Sequence, residues 1–307
     1  MLKINLKNNQ LYIAIGLAWW ILLLIPQTVP AEEISPIQAQ NELRLAESVA
    51  SKLNPGEALW LDTEQDKFLA IYTPDLSARP KGATVILHDA NGHPDWPNVI
   101  KPLRKSLPLY GWATLSIQLP QLNNIDGYIA YQTLINSRIQ KATAHLQSTG
   151  ISNIVIIGHG SGGMAAAAYL ASDNTPQEIS GFIGISLSAL PSDQHENYLP
   201  LHLEKIKLPI LDIYGSRDLN SVTNTARQRS QAAKQSSLNA ANNNEREPYK
   251  KAGLSTTTNN IQGYIAYRQI IISGADHNFE RNADTLNKRV LGWLDRHISN
   301  TATLPPR

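Results

Sequence analysis

Ile154-Val155-Ile156-Ile157-Gly158-His159-Gly160-Ser161-Gly162-Gly163 is the stretch that decides the fold. Four consecutive β-branched residues read as a strand buried on both faces, the pattern of a parallel sheet interior. Four glycines then fall within six positions, and Met164 to Ala168 continues as an alanine-rich helix. Strand, tight turn and small-residue helix in succession place Gly160 and Ser161 at the exposed edge of a sheet. Ser161 has two readings: a nucleophile lifted out of the sheet, or a serine at a helix start, where its oxygen caps a free N–H. His159 reads as a packed, hydrogen-bonded residue of the turn.

Working outward, the chain alternates strand and helix. Residues 32–54 are helical by spacing, and Glu57–Leu61 with Lys67–Tyr72 suit a hairpin. Ala83–Leu87, Trp112–Ile117, Phe182–Ile185, Ile210–Tyr214 and Ile265–Ile272 read as further strands. Helical spacing falls at Val99–Leu107, around Ile135, Ile139, Ala142 and Leu146, and over Phe279–Ile298. Repeated strand–helix units imply an α/β fold, a mostly parallel sheet with helices on both faces. The opening hairpin predicts an antiparallel edge. Residues 221–260 hold only four large apolar side chains, Val222, Leu238, Tyr249 and Leu254. They read as a mobile polar insertion, with a surface helix over Thr223–Lys234.

The 154–163 stretch resembles the nucleophile elbow of the α/β-hydrolase superfamily, Gly-x-Ser-x-Gly, often Gly-His-Ser-x-Gly-Gly. The resemblance covers nearly all of residues 57–298. It implies that Pro209 to Asp218 presents the acid, Asp218, and that Ile271 to His277 presents the histidine, His277. Ser161 would attack, His277 would act as general base and Asp218 would orient it. Val85 to Ala90 would be the oxyanion loop, with N–H groups near Asp89 and Ala90 facing the developing charge. One departure divides the expectation. Aligned on Gly158-His159, the nucleophile position is Gly160 and Ser161 comes one residue late. In that register Gly160 takes positive φ at the tip, Ser161 gives its N–H to the pocket, and Gly160→Ser supplies the missing hydroxyl. Aligned on Ser161, the first glycine of the motif is His159. His93-Pro94-Asp95-Trp96-Pro97, Pro102-Leu103-Arg104, Gly111-Trp112-Ala113-Thr114 and Ala275-Asp276-His277-Asn278-Phe279 are similar to a family of exported Gram-negative proteins of unknown function within that superfamily.

The remaining features bound the function. The chain has 307 residues, 42% hydrophobic and 17% charged, enough for one large domain. Its net charge of +2 lacks the basic excess of a nucleic-acid binder. Without cysteine there is no disulfide, thiolate metal site or cysteine nucleophile. His88, Asp89 and His93 share one loop with no clear further protein ligand, so neither a metal nor a cofactor is expected. Lys3 and Lys7, the apolar run Leu11–Ile25, Pro26 and Val29-Pro30-Ala31 form the three parts of a signal peptide, residues 1–31. That implies a periplasmic protein with no stable membrane span after cleavage. A single α/β-hydrolase-like domain would then occupy 32–307. Two functions follow: a hydrolase taking a small-molecule or acyl substrate (an ester, thioester or amide), or a catalytically inactive binding or accessory protein on the same fold.

Overall fold

The computed structural model describes residues 36–90, 92–121, 128–172, 175–188, 198–244 and 267–298, all within one compact unit, Ile34–Arg307. The expected signal peptide lies outside the described residues. In chain order the elements are α1 Pro36–Ala50, β1 Glu57–Asp62, β2 Lys67–Thr73, β3 Gly82–Leu87, α2 Ile100–Ser106, β4 Trp112–Ile117, α3 Tyr128–Ser148, β5 Ile154–His159, α4 Gly160–Leu170, β6 Ile179–Ile185, α5 Tyr198–Lys205, β7 Ile210–Gly215, α6 Asn220–Thr223, α7 Ala226–Asn244, β8 Tyr267–Ile272 and α8 Ala283–His297.

The eight strands form one sheet in the order β1-β2-β4-β3-β5-β6-β7-β8. β1, β2 and β4 pair antiparallel, and every later pairing is parallel. The two faces bury alternate residues of the same strands. Ile154 and Ile156 join one core with Ile135, Ile139, Ala142 and Met164, while Val155 and Ile157 join another with Leu103, Leu286, Val290 and Trp293. Helices therefore cover both faces, which is why these strands are continuously apolar. Parallel register pairs Leu87 with Gly158, Gly158 with Gly184, and Gly215 with Ile272. The carboxyl ends of β3, β5, β6, β7 and β8 thus open along one edge, the position at which parallel sheets place their sites.

Two elements depart from the sequence expectation. The last helix starts at Ala283 rather than Phe279, because Phe279 takes a φ of 52° in the preceding turn. The expected insertion at 221–260 is packed in its first part. α7 runs to Asn244, beyond Lys234, and Val222, Ala226 and Ala233 are buried. Arg229 is fully buried and reaches Asp212 in mid-β7, Nε to Oδ2 2.9 Å. Tyr267 Oη and Gln269 Nε2 on β8 donate to the same carboxylate. The polarity of this helix concealed a buried ion pair that ties it to the sheet. Residues 245–260 lie outside the described residues.

Arg229→Ala leaves the Asp212 charge buried and without its cation. Urea denaturation should show a loss of about 3–5 kcal/mol, whereas a surface helix would register almost nothing.

Candidate functional site

The edge of the sheet gathers five loops. His88-Asp89-Ala90 follows β3, His159-Gly160-Ser161 joins β5 to α4, Ser186 follows β6, Asp218 follows β7, and His277 follows β8. At the β5–α4 turn Gly160 has a φ of +54°, a conformation glycine reaches without a Cβ clash. The Gly160 register therefore describes the backbone. A Cβ built on Gly160 would lie 2.2 Å from Cγ of Asp89. The Asp89 carboxyl group fills the volume a nucleophilic side chain at 160 would occupy. α4 meets the β3 loop closely: a Cβ on Gly162 would lie 2.1 Å from the His88 carbonyl oxygen.

The Asp89 carboxylate is held at both oxygens. Its Oδ1 accepts the Ser161 N–H at 2.7 Å, the Ser161 hydroxyl at 2.7 Å and the Ala90 N–H at 2.8 Å. The Ala90 N–H also reaches Ser161 Oγ at 2.8 Å. Its Oδ2 accepts from His277 Nε2 at 3.0 Å. The N–H groups of Ser161 and Ala90, expected to meet a developing oxyanion, meet a resident one. Ser161 does not cap the helix either: the N-cap is His159, with no side-chain cap bond. Its hydroxyl serves Asp89, and the structure pairs His277 Nε2 with Asp89 rather than with Ser161.

Asp218 and His277 meet as the sequence implied, Nδ1–H donating to Oδ1 at 2.7 Å. Asp218 also accepts the N–H groups of Gly215 and Leu219 and the Ser186 hydroxyl. Ser186, buried with a φ of 49°, went unrecognised in the sequence, where a lone serine after a strand carries no signal. His88 was likewise assigned no role. Its Nδ1–H donates to the Asp89 carbonyl at 2.7 Å, and its Nε2 accepts the Leu119 N–H at 2.9 Å. Burial pushes the His88 imidazole down to about 4, so it stays neutral and fixes the Asp89 backbone. His159 is 1% exposed. Its Nε2–H donates to the His277 carbonyl at 3.0 Å, which leaves Nδ1 as the lone-pair nitrogen, and no partner for Nδ1 exists among the described residues.

The charges follow from these contacts. Burial alone would lower the His277 pKa, but the hydrogen bonds it donates to Asp218 and Asp89 outweigh it and push the imidazole up to about 9. Burial would raise both carboxyl groups, but the bonds to His277 hold Asp89 and Asp218 below the ordinary carboxylate range. His277 is therefore an imidazolium between two carboxylates at neutral pH.

Sheet order, the direction of strand pairing and the edge site define an α/β-hydrolase fold. Solved structures of that fold are similar. Est1E from Butyrivibrio proteoclasticus matches at 15% identity and a TM-score of 0.56, covering 79% of this chain and 98% of that one. Dienelactone hydrolase from Anabaena variabilis matches at 20% identity and 0.55, with 79% and 98% covered. Esterase Pf2001 from Pyrococcus furiosus matches at 14% identity and 0.57, with 79% and 90% covered. At these identities the likeness is one of fold. No curated protein matches the chain. The family model described as "Protein of unknown function (DUF3530)" matches residues 24–130 and 128–242, and the chain belongs to that family.

An imidazolium favoured only in the folded state stabilises the protein fully below about pH 6.5, its unfolded pKa. That contribution is lost as pH rises through about 9. The urea midpoint should fall between pH 7 and 9.5, and the fall should flatten in His277→Gln. Ring 15N shifts should show His277 still protonated on both nitrogens at pH 7.5; a neutral ring there would contradict the two-carboxylate arrangement.

Proposed function

We propose that this is an exported α/β-hydrolase-fold protein that recognises a small-molecule or acyl ligand at the sheet edge without serine-type catalysis. One observation carries the reading: the Asp89 carboxylate occupies both the nucleophile position and the oxyanion donors. Serine hydrolysis needs a hydroxyl beside a neutral imidazole and two free N–H donors. Here the hydroxyl of Ser161 is donated to Asp89, the imidazole is charged, and the donors are engaged. The likeness to esterase Pf2001 and to dienelactone hydrolase supports a pocket for small substrates, and Asp89 is the group that such a ligand meets, its side chain 27% exposed. Among the described residues no helix is long and apolar enough to cross a membrane. Export to the periplasm rests on Lys3, Lys7, the Leu11–Ile25 run and Val29-Pro30-Ala31, and mass spectrometry of protein from the native cell should find an N-terminus near Glu32.

A fluorophosphonate probe tests the central point. The wild-type protein should remain unlabelled, and hydrolysis of p-nitrophenyl acetate should match the background. Gly160→Ser alone should stay unlabelled too, because its side chain meets the Asp89 carboxyl group. Gly160→Ser combined with Asp89→Gly frees the volume, the donors and His277, and should acquire labelling. Robust wild-type labelling lost in Ser161→Ala would establish Ser161 as a nucleophile and overturn the proposal.

A further inference from the structure

Three groups at the sheet edge share a property that the hydrolase comparison does not explain. Asp89, His159 and His277 each offer a ligand atom, and the three atoms lie within 4.8 Å of one another. In each residue the other polar atoms are already bound. Oδ1 of Asp89 takes three hydrogen bonds, from the N–H and hydroxyl of Ser161 and the N–H of Ala90, which leaves Oδ2. Nδ1 of His277 is bound to Asp218, which leaves Nε2, whose proton now bridges to Asp89 Oδ2 and leaves to solvent when an ion takes its place. Nε2 of His159 is bound to the His277 carbonyl, which leaves Nδ1, a buried lone pair with no partner among the described residues. An unpartnered nitrogen on a residue 1% exposed is costly to bury and calls for a ligand.

We propose that Oδ2 of Asp89, Nδ1 of His159 and Nε2 of His277 form a binding site for one divalent transition-metal ion, Zn2+ or a cation of similar preference. Imidazole and carboxylate are the donors such ions take when no thiolate is present. Ligating histidines characteristically donate their other N–H to a carboxylate or backbone carbonyl, and both histidines do so here, to Asp218 and to the His277 carbonyl. The 3.0 Å separation of His277 Nε2 and Asp89 Oδ2 is that of two neighbouring ligands on one ion. With metal–nitrogen bonds of about 2.0–2.1 Å, ligand atoms sit roughly 3.3 Å apart, so the three residues draw in around the ion. Asp89 and Asp218 together match the charge of a divalent cation. Three protein ligands leave coordination positions open, the arrangement of a site that meets a further ligand rather than a closed structural one. The trio comes from three loops, and none of the pairs is adjacent in sequence.

The test is titration of untagged, chelator-treated full-length protein with ZnCl2 by calorimetry, with ring 15N spectra of the same samples. One Zn2+ should bind per chain. The ring resonances of His159 and His277 should move, and those of the other six histidines should not. Asp89→Ala and His159→Gln should each weaken binding by more than about 100-fold, and Asp218→Asn, which leaves the ligands in place, by about 10–100-fold. A stoichiometry well below one with Zn2+, Co2+ and Mn2+ overturns the proposal, as do shifts at other histidines or binding that Asp89→Ala and His159→Gln leave unchanged. Should those variants fail to fold, the wild-type ring shifts decide. The outcome is separate from the serine question: probe labelling at Ser161 bears on the proposed function, and the metal titration bears on this site.

Discussion

The arrangement of this sheet edge depends on one carboxylate. Asp89 enters the pocket from the β3 loop and takes Ser161 and Ala90 donors on one oxygen and His277 on the other. A partly buried carboxylate is stable only when its desolvation is offset by partners, and here the donors come from three separate loops. Each donor is thereby committed. His277 is held as a cation because it faces a second anion beyond Asp218, and a cation cannot accept a proton from an attacking hydroxyl. The presence of Asp89 and the absence of a side chain at Gly160 are one fact seen from two sides, since the two would occupy the same volume.

The fold supplies the precision this needs. β5 runs through the middle of the parallel sheet, buried on both faces, so the β5–α4 turn has little freedom to move. α4 lies close enough to the β3 loop that a Cβ on Gly162 would enter the His88 carbonyl. That contact brings the Ser161 N–H of α4 onto Asp89. His88, neutral and bonded through both ring nitrogens, fixes the backbone from which Asp89 projects. On the far side Ser186 and two backbone N–H groups fix Asp218, which in turn orients His277.

Much of this was legible in the sequence, and for physical reasons. Parallel strands buried on both faces must be largely apolar, so the unbroken Ile154–Ile157 announces itself. A tight turn at a sheet edge demands glycine, so Gly160 was readable, and with it the displacement of Ser161. Asp218 and His277 each follow a strand end, and strand ends meet along one edge. The contact between Asp89 and His277 spans 188 positions and depends on a side chain turning inward from its loop, which no local pattern records. The hidden pairing of Arg229 with Asp212 failed for a related reason: an arginine on a polar helix looks solvated until its partner inside the sheet is known.

These constraints also separate the parts of the site that a single substitution can alter from those it cannot. Returning a hydroxyl to position 160 adds a group to a volume that is already filled, and it leaves His277 charged. Removing Asp89 alone frees the oxyanion donors and one side of His277 but leaves no nucleophile at the tip. Each change is insufficient without the other, so on the proposed reading the site is a coupled state rather than a hydrolase short of one residue. A coupled state of this kind keeps an ordered imidazole, an ordered carboxylate and a bare histidine nitrogen facing one small space, and the chemistry open to the protein is whatever binds those three atoms together.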